Sequence, residues 1–317
     1  MEPIVIIILI ICCCISSIGG GYGYYYYNGN PFITTPITTQ FTTTQSSTSL
    51  TKNSSIANTS EIGNPIKLKS AMIRNGIIFG LSPTFVPVYI LMSKLKSNPY
   101  WTSLIVSNLV QETVISEIGE VLILSNGNLY YTSNYNTVPL VWTLVPTSFQ
   151  VRNIGIGNGT IVCISVINST IYYIQTSNIS TGIWSNFTSS SIITSGVQKI
   201  SISNTGELLV LLNNQLYYTS SITTTSIFQL VPAINSNSPI SYISIAGGFI
   251  VVLSLNSGYF IKATSIATTN FSNISSTPLV SLNVSDGKDL IGIDSLFNVY
   301  YAASCITNPT WYIVDSA

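Results

Sequence analysis

The chain has 317 residues, of which 10 are Lys or Arg and 10 are Asp or Glu, so 6% of it is charged and the formal net charge is zero. Ten scattered cations against ten anions cannot form the cationic patch that displaces phosphate counterions, which argues against nucleic acid as a partner. Histidine is absent, so histidine metal sites and Ser-His-Asp or Cys-His catalysis are excluded for this chain alone.

Ser and Thr together make 47 + 34 = 81 residues, and mean hydropathy is +0.47. The surface must therefore be polar but uncharged. Residues Ile4 to Ile18 read IVIIILIICCCISSI without a charge. With flanking glycines the run reaches about 18 residues, near the lower limit for spanning the hydrocarbon of a bilayer. A cleaved secretory signal is the competing reading. It wants a basic n-region and a small-residue cleavage site, whereas Glu2 is the only early side-chain charge and Gly19 to Tyr22 is a poor site. We expect a retained transmembrane anchor over residues 1–21, a single-pass helix whose membrane partner segment is residues 4–18. The next basic residue is Lys52, so orientation is not set by flanking charge. Cys12, Cys13 and Cys14 are either palmitoylation sites or small apolar residues of the membrane helix.

Residues 22–68 are low in complexity. A Gly/Tyr stretch ending in Tyr24-Tyr25-Tyr26-Tyr27 precedes a Thr/Gln/Ser tract containing Pro31 and Pro36. No periodicity here is sustained enough to bury a face, which predicts a flexible stalk. About 45 residues of such chain average roughly 35–40 Å end to end, enough to hold a head clear of a bilayer.

From residue 69 a repeat of about 42 residues takes over. Tyr89, Tyr130, Tyr172, Tyr217, Tyr259 and Tyr300 open aromatic or aromatic-like pairs spaced 41, 42, 45, 42 and 41 residues apart. A second aromatic follows each at an offset of 11 or 12: Trp101, Trp142, Trp184, Phe228, Phe271 and Trp311. Two markers that keep phase through six units are more than compositional bias. Each unit has the same grammar. In the fourth, Lys199 to Ser203 alternates as a half-buried strand does, and Leu208 to Leu212 is a continuous apolar run suited to a strand buried on both faces. Asn213-Asn214 is a turn, Leu216 to Thr219 a third strand and Ile227 to Val231 a fourth. The first unit is the most divergent, with Ser82 to Pro87 in place of a tight turn. The fold class predicted is all-β: a six-bladed β-propeller over residues 69–317, four short strands per blade, behind the N-terminal transmembrane helix and stalk. The phased aromatics are expected to pack between blades.

The pattern of turn glycine, apolar run, Asn/Gly turn, Leu-Tyr-Tyr, loop and Trp-x-x-Val resembles tectonin-type propeller repeats across residues 69–317. It departs from them in having an aliphatic second strand, as in Val121 to Leu124 and Leu208 to Leu212, where tryptophan is common. Ser125 to Tyr130 distantly resembles the Asp-box turns of sialidase-like propellers. The tectonin resemblance implies glycan or protein recognition. The whole chain, with its Ile-rich anchor, Gly/Tyr stretch and Ile/Asn/Ser/Thr-rich head, resembles membrane-anchored virion proteins of large DNA viruses.

Candidate sites are few. Asp286, Asp289 and Asp294 cluster in sequence, but Asp286-Gly287 falls on a repeat turn and the spacing matches no EF-hand, so turn chemistry is expected over calcium. Glu112, Glu117 and Glu120 invite a glycosidase pair, yet Glu120 occupies a turn position expected to face solvent. Only Arg74 and Arg152 are available to grip a carboxylate, too few for a sialidase. No catalytic residue, metal ligand or cofactor is assigned. Cys163 and Cys305 fall in opposite units, too far apart for a disulfide. Sequons stand at Asn53, Asn58, Asn158, Asn168, Asn178, Asn186, Asn270, Asn273 and Asn283. Tyr100 and Tyr135, loop aromatics outside the phased pairs, are the candidate ligand contacts, able to stack on sugar faces, with blade packing the competing reading, above all for Tyr135.

The expected function is a non-catalytic recognition or adhesion head, lectin-like or protein-binding, displayed on a cell surface or virion membrane. The alternative is a structural linker between a viral membrane and its shell. Peptide N-glycosidase treatment of the protein from its native membrane separates the two: a lowered mass would place the head outside or in the lumen and favour recognition. An unchanged mass would favour the linker.

Overall fold

The computed structural model describes residues 61–62 and 67–314, apart from the short segments 96–99, 105, 107–108, 138, 188–194, 235–238, 268–269, 276–277 and 307–308. The expected anchor over residues 1–21 and most of the stalk lie outside the described residues. Among the described residues no helix is long and apolar enough to cross a membrane.

Six antiparallel sheets succeed one another along the chain, each holding four strands in sequence order, and the first strands of neighbouring sheets pack together around an axis. This is the six-bladed propeller. The continuous apolar runs become second strands buried along their whole length, as at Ile77–Leu81, Val121–Ser125 and Leu208–Leu212. Blade one carries a fifth, outermost strand. Glu61–Ile62 pairs antiparallel with Trp101–Ser103, so two residues of the segment read as stalk are part of a blade.

One apolar cluster fills each of the six blade interfaces. The last of them joins Ile291, Ile293 and Val299 of blade six to Leu68, Ile73 and Trp101 of blade one, so the divergent first unit closes the ring. The phased aromatics sit in these clusters. Trp101 is fully buried, and Phe228 is buried edge-on against Phe187 with ring centres 5.2 Å apart. Tyr130 and Trp142 pack at the first interface, and Tyr172 and Trp184 at the second. Tyr217 packs at the third, Tyr259 and Phe271 at the fourth, and Tyr300 and Trp311 at the fifth. Burying a side chain of this size is worth about 1.5–3 kcal/mol.

The turns between first and second strands reveal a longer period than 42 residues. Blades one, three and five use two-residue turns with positive φ at both positions: Asn75-Gly76, Asn158-Gly159 and Gly247-Gly248. Asn and Gly supply this type I′ geometry at low cost. Blades two, four and six use a three-residue turn closed by a serine. The backbone N–H groups of Glu120, Glu207 and Asp289 donate to the Oγ atoms of Ser116, Ser203 and Ser285 at 3.2, 3.1 and 3.0 Å. In addition, 3-10 turns at Met92–Lys94, Thr176–Thr181 and Ala263–Ser265 follow the third strands of the odd blades. The ring is three tandem pairs of blades.

The first strand of each blade has one edge with no partner strand, and its amides would face the axis unpaired. Side chains of the preceding blade take them. Met72 Sδ accepts from Ile115 N–H at 3.0 Å, and Asn153 Oδ1 from Ile200 N–H at 2.7 Å. Ser201 Oγ accepts from Ile245 N–H at 3.1 Å, and Ser244 Oγ from Val284 N–H at 3.2 Å. The Glu112 carboxyl accepts from the backbone of Ile154. All but Met72 are polar members of the alternating strands, and each reaches the next blade. The closing interface uses a cation instead. Arg74, 2% exposed on the first strand of blade one, donates from Nη1 to the Val284 carbonyl at 2.5 Å and from Nη2 to that of Ile245 at 3.4 Å. One guanidinium thus ties blade one to blades five and six.

Replacing Arg74 by Met should strand those carbonyls and lower stability by roughly 3 kcal/mol, a fall in Tm of about 6–12 °C by calorimetry. Arg74→Lys should recover only part of this, because a single ammonium cannot reach carbonyls on two blades.

Candidate functional site

Two places gather polar chemistry. The first is the axis, at the end where first strands turn into second strands. The three even-blade turns present equivalent residues there: Glu117, Asn204 and Asp286. The Glu117 N–H donates to Asn204 Oδ1 at 3.2 Å, across the ring from blade two to blade four. Asn204 Nδ2 donates to Asp286 Oδ2 of blade six. Asp286 Oδ1 accepts the Gly247 N–H at 2.7 Å. A β-carbon on Gly247 would lie 2.5 Å from the Asp286 carbonyl oxygen, so only glycine lets the two turns approach so closely. The Arg74 Nε lies 3.9 Å from Glu117 Oε1. Burial first, and the charge of Asp286 second, push the Glu117 carboxyl up to about 7 against the opposing pull of Arg74. This polar knot links the turns of blades two, four, five and six across the ring.

First-strand side chains of blades two to five form a second polar group. Asn153 Nδ2 donates to Glu112 Oε1 at 2.7 Å, and the Lys199 ammonium sits 5.6 Å from the Tyr242 ring centre. Burial pushes the Glu112 carboxyl up to about 7 despite the Ile154 backbone, Lys199 and Asn153. The same burial lowers Lys199, with Glu112 opposing it.

The second place is a pocket of about 180 Å³ at the interface of blades one and two. It brings together both tyrosines singled out from the sequence, Tyr100 and Tyr135, with Tyr89, Thr102, Lys94 and Asn136. Tyr100 is 48% exposed. Tyr135 stands edge-on to Tyr89 with ring centres 4.9 Å apart, and its N–H donates to the Gly119 carbonyl at 3.0 Å. One aromatic is thus free to contact a ligand and one is held rigid by packing. The sequence used Tyr89 only as a repeat marker. Lys94 and Asn136 carried no signal, because they meet the tyrosines only when blades one and two pack.

The acidic groups separate. Glu120 is buried, not exposed as its turn position suggested: Ser116 and the Tyr131 hydroxyl donate to its carboxylate at 3.1 and 2.7 Å. The tyrosine, eleven residues later on the third strand, reaches back to the turn, and Tyr218 does the same to Glu207 at 2.8 Å. Asp286 belongs to the axial knot, and Asp289 accepts from Tyr301 at 3.3 Å. Asp294 closes its own turn on the Leu296 and Asn298 amides at 2.8 and 2.9 Å. Cys163 and Cys305 are buried free thiols. Of the sequons, Asn53 and Asn58 lie outside the described residues. Asn158, Asn168, Asn178, Asn186, Asn270 and Asn273 are exposed, while Asn283 is 5% exposed on the first strand of blade six.

The fold and site define a class, a six-bladed propeller with a polar knot across its ring and an aromatic pocket on its side. No family model matches the sequence, and no curated protein matches it. Solved structures do. Virginiamycin B lyase from Staphylococcus aureus is similar with a TM-score of 0.52 at 13% identity, over 80% of this chain and 88% of that one. Yeast RCC1 (Prp20), solved with Kap60 bound to it, is similar with a TM-score of 0.51 at 10% identity, over 74% of this chain and 69% of that one. Prp20p from Saccharomyces cerevisiae in a separate structure gives 0.50 at 10% identity, over 74% and 71%. At these identities the likeness is one of fold alone.

The raised carboxyls have a sign. Glu112 and Glu117 are held neutral by the fold well above their ordinary value of 4.5, so the stability they confer is complete below that value and is lost as pH rises through about 7. Tm should therefore fall between about pH 5 and about pH 8, and the fall should be smaller in Glu112→Gln. A pH-independent Tm over that range would contradict this assignment.

Proposed function

We propose that this chain is a non-catalytic recognition head, tethered to a membrane by residues 4–18 and lectin-like in the ligand it takes. The observation that carries the reading is the convergence of Tyr100, Tyr135 and Tyr89 with Lys94, Thr102 and Asn136 in one side pocket. Aromatic faces stack on the apolar faces of sugar rings, and the hydroxyl, amide and ammonium beside them suit sugar hydroxyls. The acidic side chains support a non-catalytic reading, because Glu120, Glu207 and Asp289 are engaged by tyrosines and Glu112 by a neighbouring backbone. The tectonin-like repeat grammar supports recognition too, and the exposed sequons suit a head displayed on a virion or cell surface.

Prp20, of like fold, is seen bound to Kap60, which makes a protein ligand the second reading. Exposed apolar residues at matching outer-strand positions favour it: Leu144, Leu230 and Ile313, opposite Tyr130, Tyr217 and Tyr300.

A glycan array probed with the detergent-solubilised full-length chain tests the first reading. Binding to at least one glycan is expected, weakened at least about threefold by Tyr100→Ala and kept by Tyr100→Phe, as loss of one stacking contact implies. Absence of binding to every glycan, or binding indifferent to Tyr100→Ala, would leave the protein-binding reading in its place.

A further inference from the structure

We propose that Asn186 and Asn273 carry N-linked glycans that cap the outer edges of blades three and five. Glycan transfer requires a head displayed outside the cytosol, so the assignment rests on that reading. The donor is an oligosaccharide carried on a lipid diphosphate. The asparagine Nδ2 bonds to the anomeric carbon of the sugar, the bond from that carbon to the diphosphate oxygen breaks, the diphosphate leaves with the electron pair, and the amide gives up one proton.

The outermost strand of a blade has one edge that no further strand covers, and such an edge invites pairing with another chain. Blade one covers its own edge, because Glu61–Ile62 pairs with Trp101–Ser103. Among the described residues no strand lies beyond Ser185–Asn186 of blade three or Ser272–Ser275 of blade five. Each of these two strands bears a sequon instead, Asn186-Phe187-Thr188 and Asn273-Ile274-Ser275. The two asparagines occupy one register, opposite Tyr172 and Tyr259. Both are exposed, and the residues after them, Phe187 and Ile274, are buried, so strand alternation turns each asparagine outward. A bulky, hydrated glycan at this place overhangs the edge and keeps a second chain off it. In the even blades the same register holds Leu144, Leu230 and Ile313, opposite Tyr130, Tyr217 and Tyr300. The alternation follows the blade pair, as the turns at the axis do: the odd edges are covered, one by the chain itself and two by sugar. Two other sequons are placed differently. Asn158 Nδ2 lies against the Gly206 turn, where a β-carbon would stand 2.9 Å from it, and Asn283 is 5% exposed, so neither has room for a sugar.

The test takes the full-length chain from its native membrane and treats it with peptide N-glycosidase in heavy-oxygen water. Each glycosylated asparagine becomes a labelled aspartate that mass spectrometry locates. Label is expected at Asn186 and Asn273 and absent at Asn158 and Asn283. Label at Asn158 or Asn283, or label elsewhere with Asn186 or Asn273 unlabelled, would overturn the assignment and leave the displayed head standing. A chain without any label would sink both. The capping role is read separately, by size-exclusion chromatography of the full-length chain in detergent. Asn186→Gln with Asn273→Gln should shift the peak to larger species, whereas Asn168→Gln with Asn178→Gln should leave it in place. Asn186→Lys with Asn273→Lys should elute as the wild type does, without a glycan at either position, because a charge also guards an edge. A Gln pair that elutes with the wild type would overturn the cap, and so would a Lys pair that elutes with the Gln pair.

Discussion

The unpaired inner edge of six first strands is the constraint on which this molecule depends. A blade satisfies its own ladder, but the strand nearest the axis has amides that no further strand can reach. Met72, Glu112, Asn153, Ser201 and Ser244 each reach one blade forward and take one of those amides or its neighbour. The latches run in one direction round the ring, so they fix the order and spacing of blades as well as their hydrogen bonds. The sixth interface, between the last blade and the first, is where a ring made from one chain must close without a covalent link. There Arg74 spans two blades with a single rigid fork, and an apolar cluster seals the joint outside it.

What stands on the axis follows from turn chemistry. Two-residue Asn-Gly and Gly-Gly turns are short, and those of blades one and five brace the longer ones: Asn75 Nδ2 donates to the Glu117 carbonyl and the Gly247 N–H to Asp286. The serine-closed turns are one residue longer, and that residue brings Glu117, Asn204 and Asp286 together. The period that matters at the axis is thus the blade pair. At the first seam the loop after the third strand of blade two lays Tyr135 against Tyr89, while blade one presents Tyr100 and Lys94. The rigidity of one aromatic and the exposure of another are both consequences of that seam.

Polar residues in this chain have two fates. On loops they make the uncharged surface that its composition demands. On first strands they are buried, and their worth lies in satisfying a neighbour's backbone. Glu120 shows how easily the two are confused: its place beside a glycine turn suggests solvent, but it is buried and Tyr131, one strand further on, donates a hydroxyl to it. The repeated Tyr-Tyr therefore serves two ends, the first ring packing between blades and the second, in even blades, capping a carboxylate.

The sequence by itself determined the number of blades, their strand order and the aromatic packing positions, because these rest on local periodicity and on markers that recur about every 42 residues. Its apolar runs dictated which strands are buried on both faces. It also pointed to Tyr100 and Tyr135 as aromatics outside the packing register. Only the tertiary structure decided that these two share a pocket, that blade one closes on blade six through Arg74, that Glu61–Ile62 belongs to a blade, and that three turns meet on the axis. Each of these joins residues from separate units, tens to hundreds of positions apart. Such contacts leave no periodic trace, because they arise from ring closure rather than from any one strand or turn.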